Sequence, residues 1–186
     1  MKKLLIVLLV TAVILSLYTV TAQAAEFETD SETANTMEVT VDDITAVSSQ
    51  LAELDTESDM LARLVYAEAR GVDSEMEQAA VIWCVLNRVD AGYDDGTIAG
   101  VVTQHAQFAY RSSAPVTDEF KALAQDVVTR WLLEARGVAD VGRVLPENYL
   151  WFAGRHGHNR FRCRYRSNGE YWDWSLPDPY ESEEVQ

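Results

Sequence analysis

One carboxylate, Glu68, stands where the sequence otherwise places core residues. Leu61, Leu64 and Val65 recur at the spacing of one helical face, and Glu68 lies seven, four and three residues after them. The predicted helix therefore points this carboxyl group inward. A carboxyl group in such a place either forms a salt bridge, here with Arg70 or a neighbour, or is available for acid–base chemistry. The spacing alone leaves both interpretations open.

Few other groups could do chemistry. Histidine occurs three times, as His105, His156 and His158, and cysteine twice, as Cys84 and Cys163. No acidic ligand motif accompanies the histidines, and two thiolates are too few for a cysteine-only zinc site. We therefore predict no metal and no cofactor. The two cysteines are either bridged, which an exported chain permits, or free in the core.

The charge of the chain excludes one class of partner. Its 186 residues carry 15 Lys plus Arg against 30 Asp plus Glu, a net charge of −15. Nucleic acid is a poor partner for such a chain, because affinity for a polyanion comes from Lys and Arg. Residues 26–59 hold eleven acidic side chains and no basic one. We predict a disordered acidic spacer over residues 25–58, since so polar a segment buries too little apolar surface to fold; a short helix around Asp43 to Leu54 is the alternative.

The N-terminus has the features of an export signal. Two lysines precede an uncharged stretch from Leu4 to Ala25, and Ala22-Gln23-Ala24 fits a signal peptidase site. We predict a signal peptide over residues 1–24. The competing interpretation is an uncleaved anchor that attaches the chain to a membrane through residues 4–22, and both place the remainder outside the cytoplasm.

Three long helices are predicted from their apolar periods and their end signals. The second has a Ser-x-x-Glu capping box, Ser74 and Glu77, and its apolar run from Gln78 to Val89 indicates a central core helix. The three run from Ser58 or Asp59 to Gly71, from Ser74 to Val89 and from Thr117 to Gly137.

The period changes toward the C-terminus. Tyr149–Ala153 reads as a buried strand, Arg160–Arg166 alternates strictly, and Asn168-Gly169 indicates a hairpin turn. The fold class is therefore α+β, mainly helical with a small antiparallel β-sheet toward the C-terminus. We place the folded domain at residues 59–176 and an acidic tail at 177–186.

The most specific motif is Glu-Ala-Arg-Gly at residues 68–71, followed by an Ala-Val-x-x-x-x-Leu-Asn-Arg helix at 80–88. Together with Leu61–Val65, Thr97–Val102 and Gln104–Phe108, it resembles the catalytic domain of the SleB-type cell wall hydrolases, whose best-known members are spore-cortex lytic enzymes. The resemblance covers Asp59 to about Trp174. It implies a lysozyme-like or lytic-transglycosylase-like fold and a bacterial cell-wall location. The implied activity cleaves the β-1,4 bond between N-acetylmuramic acid and N-acetylglucosamine in peptidoglycan glycan strands.

The resemblance also implies roles for particular residues. The family's catalytic glutamate matches Glu68, and an apolar setting would help such a group to keep the proton that a glycosidic oxygen needs in order to leave. In a lytic transglycosylase this single group acts as general acid and then base, which gives 1,6-anhydromuramoyl products. The resemblance also suggests that His158 contacts substrate, because its His-Asn-x-Phe segment is similar to the family's C-terminal signature. Aromatic faces and amides suit sugar rings and acetamido groups, so Tyr66, Gln107 and Phe108 are expected to bind substrate as well, with core packing and loop hydrogen bonding as the alternative.

Two alternatives remain. A hydrolytic muramidase would need a second carboxylate, and the acids available are Glu75, Glu77, Asp94 and Asp95. Many relatives carry an acidic residue directly after Gly71, where this chain has Val72. The other alternative is a non-catalytic cell-wall-binding protein, and in each case we expect a monomer.

Overall fold

The computed structural model describes residues 41–166 and 170–181. That part contains four helices and two strands, in an order that confirms the predicted α+β arrangement, with a small antiparallel sheet near the C-terminus. The elements are α1 (Val41–Ala69), α2 (Glu75–Asp90), α3 (Ile98–Thr103), α4 (Asp118–Ala135), β1 (Trp151–Arg155) and β2 (His158–Arg162).

Helix α2 lies at the centre of the core. Every residue from Met76 to Arg88 is buried, as its apolar sequence predicts. The helix begins at its predicted cap, because Ser74 Oγ accepts a hydrogen bond from the Glu77 backbone N–H at 3.2 Å. The Glu77 side chain is buried and bonds to the β2 strand instead of returning to Ser74. The capping box therefore forms only in part, because a distant partner takes the carboxylate.

Helix α1 begins well before the predicted start at Ser58 or Asp59. Ser58 lies inside the helix, where it is buried and its Oγ donates to the Leu54 carbonyl at 2.7 Å. Lys121 of α4 pairs with Asp55 and Asp59 at 2.7 and 2.8 Å. Residues 41–58 of the predicted spacer are thus helical rather than disordered, and Leu54 packs against the core.

The N-terminal predictions lie mostly outside the described residues. The predicted signal peptide or anchor at 1–24 and the first part of the spacer, 25–40, belong to this group. In the segments 41–166 and 170–181, none of the helices combines the length and apolar character needed to cross a membrane.

The two described strands form a β-hairpin with each other, and the further turn indicated by Asn168-Gly169 stays a prediction. Asn168-Gly169 lies outside the described residues, and the observed turn is His156-Gly157, with φ of +54° and +80°. Positive φ at both central residues is typical of the tight turns whose twist suits a two-residue hairpin. The register places Phe152 opposite Phe161 and Arg155 opposite His158. β1 therefore begins two residues later than predicted, and β2 two residues earlier.

The folded part also extends into the predicted acidic tail. Tyr180 donates its hydroxyl hydrogen to Asp126 Oδ2 at 3.0 Å, and the Arg130 guanidinium lies 5.5 Å from its ring centroid. Burial, with Asp126 nearby, raises the pKa of Tyr180 above its ordinary value. Residues 182–186 of the predicted tail lie outside the described residues.

The amide of Asn87 joins α2 to the segment that leads into β1. Its Nδ2 donates to the carbonyls of Pro146 and Tyr149 at 2.8 and 3.1 Å, and its Oδ1 accepts from Arg143 Nη1 at 2.7 Å. Asn87 is 1% exposed, so water cannot replace these partners.

We expect Asn87→Ala to lower the free energy of unfolding by about 2–3 kcal/mol, because buried acceptors and a donor lose their partner. Asn148→Ala, at an exposed position in the same segment, should change it by less than about 0.5 kcal/mol. Urea unfolding of both variants checks this, and equal effects would contradict the role given to Asn87.

Candidate active site

Glu68 lies in the last turn of α1 and is half-buried. Its Oε1 accepts a hydrogen bond from the backbone N–H of Ala109, which fixes the carboxylate against the loop after α3. Arg70 does not pair with it, since Arg70 Nη1 donates to the carbonyls of Tyr66 and Ala67 at 3.1 and 3.4 Å. Within the described residues, Oε2 of Glu68 has no hydrogen-bond partner. One oxygen is therefore held and the other is available.

A cleft of about 240 Å³ contains Glu68. One part of its lining comes from the end of α1 and the turn that follows, and the rest comes from the tip of the β-hairpin. The lining residues are Glu68, Gly71, Val72, Gly154, Arg155, His156, Gly157, His158 and Asn159. Arg155 and the two histidines are exposed. Glu68 therefore shares an open cleft with one guanidinium group and two imidazoles.

A second carboxylate, Glu77 of α2, holds the hairpin side of this cleft. Its side chain is 7% exposed. Oε1 accepts a hydrogen bond from the Asn159 backbone N–H, and Oε2 lies 3.2 Å from His158 Nδ1. Both oxygens are therefore engaged by residues that line the cleft.

The loop that orients Glu68 is itself held by Arg88 of α2. Arg88 is buried, and its Nε donates to the Leu150 carbonyl at 2.6 Å, while Nη1 donates to Gln107 Oε1 at 3.2 Å. Its guanidinium also lies 4.7 Å from the ring centroid of Phe108. Burial lowers the pKa of Arg88, but an arginine remains charged, so the site keeps a buried cation behind the loop.

The structure brings some of the predicted site residues together and separates others. Glu68 and His158 line the same cleft. Gln107 and Phe108 are not among the lining residues; they belong to the loop that carries the Ala109 N–H. Tyr66 packs edge to face on Phe120, with ring centroids 6.3 Å apart. This is core packing, the alternative to substrate binding for this residue.

The four candidates for a second acid also differ in whether they reach the cleft. Asp95 accepts hydrogen bonds from the backbone N–H and hydroxyl of Thr97, and these bonds lower its pKa. Asp94 lies in the same exposed turn, and Glu75 is exposed at the start of α2. Of these four acids, Glu77 is the one that contacts residues lining the cleft, namely His158 and Asn159.

Sequence reasoning predicted His158 and missed the rest of the hairpin tip as part of the site. Asn159 lies in the His-Asn-x-Phe segment without a predicted role, Arg155 and Gly157 belong to no motif, and His156 raises only the question of a metal ligand. A usable signal was His156-Gly157 itself, flanked at matching distances by Phe152 and Phe161, which pair across the hairpin.

Metal and thiol chemistry receive no support from the described side chains. Over residues 52–166 and 170–181 there is no cluster of three or more His, Cys, Asp or Glu groups placed to hold a metal ion. Both cysteines are free, Cys84 buried and Cys163 half-buried. Burial raises the pKa of the Cys84 thiol to about 12, so the thiolate that a nucleophile requires is scarce at neutral pH.

No protein-family model, curated protein or solved structure matches this chain. The functional interpretation therefore depends on the geometry of the cleft and on the motifs of the sequence.

We expect one thiol per chain to react with a thiol reagent at pH 8 in the native protein, and two in urea. The raised pKa leaves Cys84 protonated well above pH 8 and burial blocks the reagent, whereas Cys163 is partly accessible. Cys163→Ser should abolish the native reaction. Rapid native labelling of Cys84 would contradict its assigned burial.

Proposed function

We propose that this protein is an exported peptidoglycan lytic transglycosylase with a lysozyme-like fold, in which Glu68 is the catalytic acid and base. The observation that carries this proposal is the Glu68 carboxylate itself. It is half-buried, one of its oxygens is fixed by the Ala109 N–H, and the other is available in a cleft shared with the hairpin tip. The sequence resemblance to SleB-type cell wall hydrolases supplies the substrate, the glycan strand of peptidoglycan.

The chemistry needs one carboxyl group and no water. Protonated Glu68 gives its proton to the glycosidic oxygen as the bond from that oxygen to C1 of N-acetylmuramic acid breaks. The resulting carboxylate then takes the proton of the muramoyl 6-hydroxyl while O6 bonds to C1. The products are a free N-acetylglucosamine 4-hydroxyl and a 1,6-anhydromuramoyl end, and Glu68 returns to its protonated form.

The arrangement of the other acids supports this single-carboxylate route over hydrolysis. A hydrolytic muramidase needs a second carboxylate that can activate water or bond to the sugar. Glu77 is the acid connected to the cleft, but its two oxygens are engaged by Asn159 and His158. Its side chain is also only 7% exposed, so little of the carboxylate can be reached by a water molecule or an anomeric carbon.

The shape of the cleft fits a polymer better than an enclosed ligand. It is small, and much of its lining is exposed, so a strand can lie across it while only a few atoms are buried. Gly71, Gly154 and Gly157 leave backbone accessible where side chains would narrow the cleft. We assign Gln107 and Phe108 to its rim, because they adjoin the Ala109 N–H that binds Glu68.

We expect the full-length protein to release muropeptides ending in 1,6-anhydromuramic acid from purified peptidoglycan. Glu68→Gln should lower the rate by about 10²–10⁴-fold, since the amide cannot transfer the proton. Its unfolding midpoint should stay close to that of the wild type. Glu75→Gln, an exposed carboxylate outside the cleft lining, is the matched control and should keep full activity. Mass spectrometry of the soluble products provides the measurement.

The other outcomes distinguish the alternatives. Products with reducing-end muramic acid would indicate a hydrolytic muramidase. Retained activity in Glu68→Gln would contradict the role of that residue. Binding to cell wall or spore cortex without release of any product would identify a non-catalytic wall-binding protein.

A further inference from the structure

We propose that Glu77 is a positioning residue that fixes the tautomer of His158, so that His158 Nε2 offers a hydrogen-bond acceptor to a ligand in the cleft. The identity of that ligand group, a hydroxyl or amide N–H of a glycan, rests on the proposed function. The tautomer does not, because it follows from the protein's own hydrogen bonds.

The two oxygens of Glu77 have separate tasks. Oε1 receives the Asn159 backbone N–H, and Oε2 faces His158 Nδ1 at 3.2 Å. The carboxylate lies on the buried helix α2 and is 7% exposed, whereas the His158 side chain is 73% exposed. The Asn159 bond and the helix therefore set the position of Glu77, and His158 is the exposed partner in this pair.

An ionised carboxylate only accepts hydrogen bonds, which decides where the imidazole proton lies. Neutral histidine carries one N–H, and beside Oε2 this must be Nδ1–H. Nε2 then keeps its lone pair. Since His158 lines the cleft, this lone pair is available to an O–H or N–H donor on a ligand. The other charged or titratable groups that share the cleft are Glu68, Arg155 and His156.

A contact between two exposed charged side chains usually contributes little to stability. In this pair, however, the Glu77 carboxylate is buried. A carboxylate that orients an imidazole is a recurrent way of selecting one tautomer at ligand-binding histidines. Here the same carboxylate holds the hairpin through Asn159, so the imidazole and the cleft wall are set by one buried group.

Glu77→Gln separates these two tasks. The amide oxygen of Gln can still accept the Asn159 N–H, which keeps the hairpin in place. The amide NH₂ now faces His158 Nδ1 and donates, so Nδ1 must become the acceptor and the proton must move to Nε2. The substitution therefore keeps the hairpin in place. It changes His158 Nε2, which faces the cleft, from a hydrogen-bond acceptor to a donor.

The deciding experiment is side-chain ¹⁵N NMR of the histidines in the full-length protein at a pH where the imidazoles are neutral. The chain has three histidines, and His158→Gln assigns the signals by loss of one of them. In the wild type, His158 should carry its proton on Nδ1, and in Glu77→Gln on Nε2. Glu134→Gln, which removes a carboxylate paired with Arg143 outside the cleft lining, should leave the tautomer unchanged.

A wild-type His158 protonated on Nε2, or a tautomer that Glu77→Gln does not alter, would overturn the proposal. This readout needs no substrate and no activity. An inactive wild type with the predicted tautomer would therefore count against the proposed function alone.

The functional consequence is tested by a double-mutant cycle on kcat/KM with purified peptidoglycan. We expect Glu77→Gln and His158→Gln each to lower kcat/KM by about tenfold, with unfolding midpoints near that of the wild type. The double variant should be no slower than His158→Gln, because Glu77 acts through the imidazole. Additive losses would show that Glu77 acts elsewhere and would contradict its positioning role.

Discussion

The cleft depends on one constraint, that polar groups buried on α2 must find hydrogen-bond partners. Glu77, Asn87 and Arg88 lie on a helix that is buried over their whole range, where an unpaired charge or amide would cost several kcal/mol. Their partners are the hairpin, the segment before β1 and the loop after α3. The same bonds that satisfy the helix therefore assemble the walls around Glu68. A site built in this way is coupled to the core, so its geometry and the stability of the fold depend on shared residues.

The parts of the fold that the sequence predicts depend on interactions between residues close together in the chain. The cap residues Ser74 and Thr117 accept hydrogen bonds where α2 and α4 begin, because a cap needs only residues within one turn. The start of α1 is indicated only in part. Composition over residues 25–58 indicates disorder, with a short helix around Asp43 to Leu54 as the alternative, whereas α1 is continuous from Val41 and contacts α4 where Asp55 pairs with Lys121, a residue more than sixty positions away. The hairpin register pairs Phe152 with Phe161, whose ring centroids lie 5.3 Å apart, around the tight turn at His156-Gly157.

In the candidate site, too, local spacing predicts one residue, Glu68, and does not predict the partners of the other, Glu77. The helical spacing of the apolar residues before it predicts that Glu68 lies near the core. In the structure Glu68 is half-buried at a cleft. For Glu77 the local pattern indicates a capping box, and the carboxylate instead bonds to residues 81 and 82 positions later in the chain. A short-range rule competes here with long-range partners, the backbone N–H of Asn159 and the His158 ring. The long-range partners are favoured because burial strengthens their bonds and penalises any oxygen left without one.

Two glutamates of equal chemistry thus become different groups through what surrounds them. Glu77 has both oxygens committed to the hairpin, so a proton transfer there would break bonds on which the cleft depends. Glu68 is held by a single backbone N–H through Oε1, which fixes its direction without using its second oxygen. A carboxyl group can exchange a proton with a ligand at low cost only in the second situation. In the proposed mechanism the acid–base role therefore goes to Glu68, whose second oxygen has no partner among the described residues, and the structural role goes to Glu77, whose oxygens both have partners.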